Sequence, residues 1–476
     1  MNSQIDSREQ SEFDWPLAYE AENSLRQFIR SFLEQNEVAS RLAGEMQQRT
    51  GTDFYEWVDH FTLSAEHAEE LRAVGLVREE VEAPANTEVF YHPRAMMPRV
   101  LLTSGGSSSA IPASLAIRTE SLRDLFARQN LVSEIDGSFG AGLRQALIPD
   151  EAHHRFLGVE RLGYRGFVTN RPTPDRVEAV LKVRELWKAR KRNFFNDADG
   201  VNHALNLQEE AIRLVGQDVA CDLFFAEERS YWESRNRAGQ IQKRRQDLLG
   251  LGWSNHDHHT FRSSRRFFAD LIEFLLRFGF QKRERYYAGA QAGWGAQILE
   301  HSITGITVFA DVDLMPQETK IDFSTERLPD APRLSTVGLW CGLHGDSFLQ
   351  AGMHHLEARF DFSVMREQLA AEGVTTMNPF SDFPFLKQAF TEAERWPVEP
   401  ERVKALLSKG LITEEQADGF IKNGAVGSHL ENLQRKGGFK GFNQKSVSVI
   451  IEATDPRALQ LSSLRADKPN AKVFKE

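Results

Sequence analysis

The stretch "NHDHHTFRSSRRFFADLIEFLLRFG" (255–279) sets three histidines, His256, His258 and His259, into four positions and runs straight into an apolar, helix-spaced segment. Its first half alternates as a strand does. Its second half places apolar residues three and four apart, as an amphipathic helix requires. Three further strand-like runs follow: "FQKRERYYAG", "GAQILEHS" and "GITVFADVDL". The local order is therefore βαβββ.

That order recurs. Downstream, "HHLEARF" (354–360) leads into a helix at 363–373, and the chain then detours through 378–422. It returns with "GSHLENLQ", "FKGFN" and "KSVSVIIEAT" (445–454) as candidate closing strands. Upstream, "YEWVDHFTL" (55–63), a helix at 65–75, "EVFYHP" and "PRVLLTS" make another version. "SLAIRT", "SLRDLFARQN", "GLRQALI" and "GYRGFVT" make a fourth. Residues 174–254 carry only helical periodicity. The reading is α+β: tandem βαβββ modules of vicinal-oxygen-chelate type joined by a helical connector. The boundaries are 1–50 (helical), 51–173 (a degenerate module pair), 174–254 (connector) and 255–476 (a metal-binding pair with a helical insertion at 378–422).

The 476 residues suffice for several buried cores. A net charge of −10 argues against nucleic acid or an anionic membrane as main partner. The basic runs "KARKRNFF" (188–195) and "QKRRQD" (242–247) read as solvated helix faces. Two cysteines make no disulfide framework or zinc-thiolate pattern. No apolar run reaches the ~18–20 residues of a membrane span. The expectation is a soluble cytoplasmic protein acting on a small molecule.

Two histidines and one carboxylate on one face hold a divalent metal and leave positions open for substrate. Residues two apart in a strand share a face, so His258 goes with Thr260 and Arg262, and His259 with Phe261. His258 is followed four residues later by Arg262, and His355 four residues later by Arg359. The neighbours His259 and His354 have no such echo, which favours His258 and His355 as ligands with His354 as rival. In "KSVSVIIEAT", Glu452 ends an apolar strand and completes the set, because a buried carboxylate needs a partner. Arg359, His344 and His429 are candidates for catalysis. Asp311 and Asp313, on the symmetry-related strand, either stand behind the metal ligands or face solvent, and Glu300 and His301 are weaker candidates for the ligand set. The N-terminal His60 matches His258 in position but has Ser64 where Arg262 stands, so that pair reads as metal-free.

"DHHTFR", "LHG…HHLEARF" and a late Glu together resemble the bacterial 2-oxoadipate dioxygenase/decarboxylase (hydroxyglutarate synthase) family. The resemblance spans roughly 255–455. It implies Fe(II), or another divalent metal, at His258, His355 and Glu452. It also implies O₂ and a 2-oxo acid as substrates, with Arg262 on the substrate carboxylate. "HHLE" replaces that family's "NHFT". O₂-independent isomerase, lyase or hydrolase chemistry on the same scaffold, and a non-enzymatic ligand-binding protein, are the alternatives.

Overall fold

A computed structural model describes residues 15–104, 111–150, 153–290, 292–443 and 455–457. Helices α1 (Tyr19–Gln35) and α2 (Glu37–Thr50) lead into the first module: β1 (Val58–Ser64), α3 (Ala68–Ala73), β2 (Val77–Glu79), β3 (Thr87–Tyr91) and β4 (Arg99–Thr103). The second module is β5 (Ser114–Arg118), α4 (Leu122–Gln129), β6 (Ile135–Asp136), β7 (Leu143–Leu147) and β8 (Arg155–Arg161). The connector is α5 (Pro174–Lys188), α6 (Asp197–Val215), α7 (Gln217–Glu233) and α8 (Arg237–Asp247). The third module is β9 (His256–Ser263), α9 (Phe268–Arg277), β10 (Gln281–Tyr287), β11 (Trp294–Glu300) and β12 (Thr307–Asp313). After α10 (Thr336–His344) the fourth comprises β13 (His355–Arg359), α11 (Phe362–Ala371), β14 (Ser381–Phe383) and β15 (Leu386–Phe390), then β16 (Glu394–Trp396), α12 (Pro400–Ser408), α13 (Glu414–Asn423) and β17 (Ala425–Arg435).

The two sheets share one topology. The N-terminal order is β2-β3-β4-β1-β5-β8-β7-β6, and the C-terminal order is β10-β11-β12-β9-β13-β17-β15-β14. In each, the first strands of the paired modules meet antiparallel at the centre, and each is flanked by its own module's last strand in parallel. This is the tandem vicinal-oxygen-chelate architecture. The registers also agree. Thr62 faces Ser114 as Thr260 faces His355, and Val58 faces Ile117 as His256 faces Ala358. Each residue of β1 thus has a counterpart 198 positions later in β9, and each of β5 one 241 positions later in β13.

Parity explains the packing. His259 and Phe261 point away from the sheet's hollow onto Phe225 of α7, at ring distances of 5.1 and 5.9 Å. The connector thereby backs the C-terminal sheet, with Trp187, Phe224 and Phe274 in the same core. Helices α1 and α2 back the N-terminal sheet through Leu25, Phe28 and Phe32 of α1 and Leu42 and Met46 of α2. Thr173 caps α5, accepting from the Arg176 N–H, and Pro174 sits in its first turn, where its missing N–H costs nothing. The 188–195 run is not a solvated face: Arg190 and Arg192 both close on buried Glu228, at 2.8 and 2.7 Å. The basic residues supply the counter-charge that a buried carboxylate needs.

The segment 378–422 is not wholly a helical insertion. It begins with β14 and β15, the fourth module's second and third strands, and the helices within it are α12 and α13. The closing strand is β17, in the stretch "AVGSHLENLQR". Residues 445–454, including Glu452, lie outside the described residues, and "FKGFN" and "GYRGFVT" form no strand.

Candidate metal centre

Four buried side chains converge in the hollow of the C-terminal sheet: His258 of β9, His355 and Glu357 of β13, and Glu431 of β17. One ligand atom from each lies within 4.8 Å of all the others. The pairing explains the meeting. Glu357 shares a face with His355 because it is two residues on. Glu431 is the register partner of Glu357 on the adjacent parallel strand. His258 Nε2 contacts Glu357, and His355 Nε2 lies 3.7 Å from both Glu357 and Glu431.

The histidines are held from behind. Asp257 accepts from His258 Nδ1 at 3.0 Å and is gripped by Arg435 through contacts of 3.0 and 2.9 Å. Burial alone would raise the Asp257 carboxyl, but Arg435 and the His258 hydrogen bond hold it well below its usual range. An ionised Asp257 keeps the proton on Nδ1, so His258 Nε2 presents its lone pair towards the Glu357 carboxylate. Burial lowers His258 to about 4 and depresses His355 well below its ordinary value, leaving both imidazoles neutral at pH 7. Burial pushes Glu431 well up, against the opposing hydrogen bond that Gln388 donates at 2.8 Å. Two neutral imidazoles and two buried carboxylates aimed at one point lack a cation, and a divalent metal fits that donor set.

A cavity of about 80 Å³ adjoins the four residues. Phe309, Phe380, Phe390 and Phe442 wall it with Tyr286 and Trp294, and Arg262, Asp311 and His354 also line it. Arg262 is buried, on the same face as His258, with its guanidinium carbon 5.7 Å from the Trp340 ring centroid. Asp311 is its register partner on β12; burial pushes that carboxyl up to about 7 while Arg262 opposes the rise.

Of the expected site residues, His258, His355 and Arg262 meet at this cavity. His354 also lines it, its Nδ1 2.7 Å from His355 Nδ1, but does not belong to the converging four. Arg359 goes elsewhere. β9 and β13 run antiparallel, so an arginine four residues after each histidine ends at opposite ends of the sheet. Arg359 pairs with Glu56 at 3.0 Å in a separate cleft. His344 packs between Trp340 and Trp396, with Nε2 2.9 Å from the Val426 carbonyl. His429 sets Nδ1 3.0 Å from the Thr391 carbonyl and its ring against Phe390. Neither lines the cavity; each is held by a backbone carbonyl as a packed core histidine is. Glu300 pairs with Lys440, and His301 contacts the Phe278 carbonyl. Phe380, just before β14, and Phe390 of β15 form part of the cavity wall.

The cluster also holds Glu357 and Glu431, which the sequence reading does not name. Glu357 is legible in the sequence, since it follows His355 by two in a strand. Glu431 is not, because the sequence points to 445–454 as the closing strand and β17 takes that place.

No protein-family model and no curated protein matches the chain. Similar solved structures include a triple mutant of 4-hydroxymandelate synthase from Streptomyces coelicolor, at 15% identity and TM-score 0.28, covering 86% of this chain and 99% of that one. Methylmalonyl-CoA epimerase from Mycobacterium tuberculosis matches at 12% identity and TM-score 0.22, covering 38% and 88%. A xylose isomerase-like TIM barrel/4-hydroxyphenylpyruvate dioxygenase fusion matches at 11% and 0.23, covering 90% and 58%. Superpositions this loose carry no chemistry across, and the functional reading rests on the converging His258, His355, Glu357 and Glu431.

Proposed function

We propose that the chain is a non-haem Fe(II) dioxygenase/decarboxylase acting on a 2-oxo acid or similar bidentate small molecule, of the kind the 2-oxoadipate dioxygenase/decarboxylase family carries out. The observation that carries this reading is the buried two-histidine, two-carboxylate cluster sharing one small cavity with Arg262. His258, His355 and Glu431 hold the metal, one from each of three strands. Bound there, iron supplies a Lewis-acidic seat for the 2-oxo acid's chelating oxygens and the electrons for O₂.

The protein's own groups do the rest. Asp257 and Arg435 lock the His258 tautomer, and Gln388 orients Glu431 by donating to its second oxygen. The Arg262 fork matches a carboxylate bidentately. The phenylalanine walls exclude water and strengthen that ion pair.

Glu357 keeps a second reading alive. If Glu357 joined His258, His355 and Glu431 in holding the metal, less room would remain for O₂ beside a chelating substrate, which suits O₂-independent isomerase, lyase or hydrolase chemistry. In the dioxygenase reading three of the four groups would hold the metal, and Glu357 would stand beside them as a hydrogen-bond acceptor.

The deciding experiment uses anaerobically purified protein loaded with Fe(II) and a panel of 2-oxo acids. Stoichiometric O₂ uptake with CO₂ release is expected. Turnover that persists in strict anaerobiosis would sink the dioxygenase in favour of the second reading.

A further inference from the structure

Between the two sheets lies a second cavity, of about 480 Å³, lined from both module pairs and from α7. Eight cationic side chains face it. Seven are ion-paired: Arg99 and Arg165 with Glu79, Arg161 with Asp59, Lys282 with Asp322, Arg283 with Glu284, Arg359 with Glu56 and Lys440 with Glu300. The eighth is Arg118, at the end of β5, which meets no carboxylate at ion-pair distance among the described residues. Its nearest charges, Asp222 and Asp59, are engaged elsewhere. Asp222 accepts from the Gly163 N–H at 2.8 Å, and Asp59 is held by Arg161 and His60.

The pseudo-symmetry says what is missing. Arg118 on β5 is the counterpart of Arg359 on β13. Arg359 reaches across the cleft to Glu56, just before β1. The counterpart of Glu56, 198 positions later, is Ser254, just before β9, and Ser254 lines the same cleft. One of two equivalent cross-cleft ion pairs therefore has its arginine but not its carboxylate. Burial meanwhile disfavours the bare Arg118 charge.

We infer that the cleft is a binding site for a small oxyanion ligand, a carboxylate or a phosphate, whose charged group sits between Arg118 and Ser254 in the place Glu56 fills beside Arg359. A guanidinium offers two parallel donors to such a group, and the serine hydroxyl adds a third. Neither Arg118 nor Ser254 belongs to the metal cluster, and the proposal does not need that cluster's chemistry, although Asp257, which braces His258, also lines this cleft.

Full-length protein is titrated with succinate and, separately, with inorganic phosphate at ionic strength held constant with chloride, and thermal unfolding is followed. A saturable rise in Tm on the order of a few degrees is expected. A response to succinate alone assigns a carboxylate ligand, and a response to phosphate alone a phosphoryl ligand. Arg118→Gln abolishes the response. Ser254→Glu restores the internal pair, raises Tm without ligand and removes the response too. Metal content stays at the wild-type level in both. A wild-type protein with no saturable rise, or one whose rise survives in Ser254→Glu or in a folded Arg118→Gln, overturns the proposal.

Discussion

The two module pairs carry the same brace but different fronts. In the N-terminal pair His60 Nδ1 lies 2.7 Å from Asp59, and Arg161 grips Asp59 through two contacts of 2.7 Å. In the C-terminal pair His258, Asp257 and Arg435 repeat the arrangement at matching register positions. In front of the histidine the likeness ends. Where His355, Glu357 and Glu431 stand, the N-terminal pair has Ser114, Ala116 and Leu157. Leu143, Leu157 and Val159 fill that hollow, and the Phe167 ring sits 4.9 Å from His60. A histidine oriented by a braced aspartate is thus not by itself a metal site. The groups on the neighbouring strands decide whether its lone pair meets a metal or a hydrocarbon.

The sharpest break is at the paired histidines. His258→Ala should remove stoichiometric metal and all turnover, measured by elemental analysis and O₂ uptake, whereas His60→Ala should leave metal content unchanged. A metal loss in His60→Ala would mean that the N-terminal hollow is misread. Next come the braces. Asp257→Ala and Asp59→Ala each leave an arginine buried without its partner, so both should cost roughly 3–5 kcal/mol in denaturant unfolding. Only Asp257→Ala should also weaken metal binding, by about 10–100-fold. Equal metal affinities in the two variants would show that the brace serves packing alone.

The smallest expected effect concerns Asp311, for which β4 offers Thr103 at the matching position. Below about 7 the Asp311 carboxyl is protonated and does not compete with the substrate for Arg262. Above it, the ionised carboxylate competes. KM for an acidic substrate should therefore rise as pH passes through 7, by roughly tenfold for the loss of one charge-assisted contact. Asp311→Asn should flatten that rise, and a wild-type KM that ignores pH between 6 and 8 would show that Asp311 and Arg262 do not act together.

Strand parity in "HDHHTFR" leaves His258 and His259 both open, and the His-x-x-x-Arg echo selects His258 and His355, the two that converge with Glu357 and Glu431 in the hollow. The same parity placed Arg262 in the cavity. The echo misjudged Arg359, since it says nothing about which end of an antiparallel pair a side chain reaches. His344 and His429 stood out only as histidines near apolar residues, a pattern that core packing produces as readily as chemistry.

What the sequence by itself determined was the local grammar: four βαβββ units, a helical connector, and the two histidines whose faces their neighbours set. Those features come from periods of two and 3.6 residues, readable within one segment. Only the tertiary structure decided which strand closes the last module, and with it that Glu431 stands beside Glu357. It alone showed that the N-terminal hollow is filled, and that Arg118 lacks, among the described residues, the carboxylate its counterpart has. Each of these depends on register between strands tens to hundreds of residues apart, which pairing and burial choose together and no local pattern records.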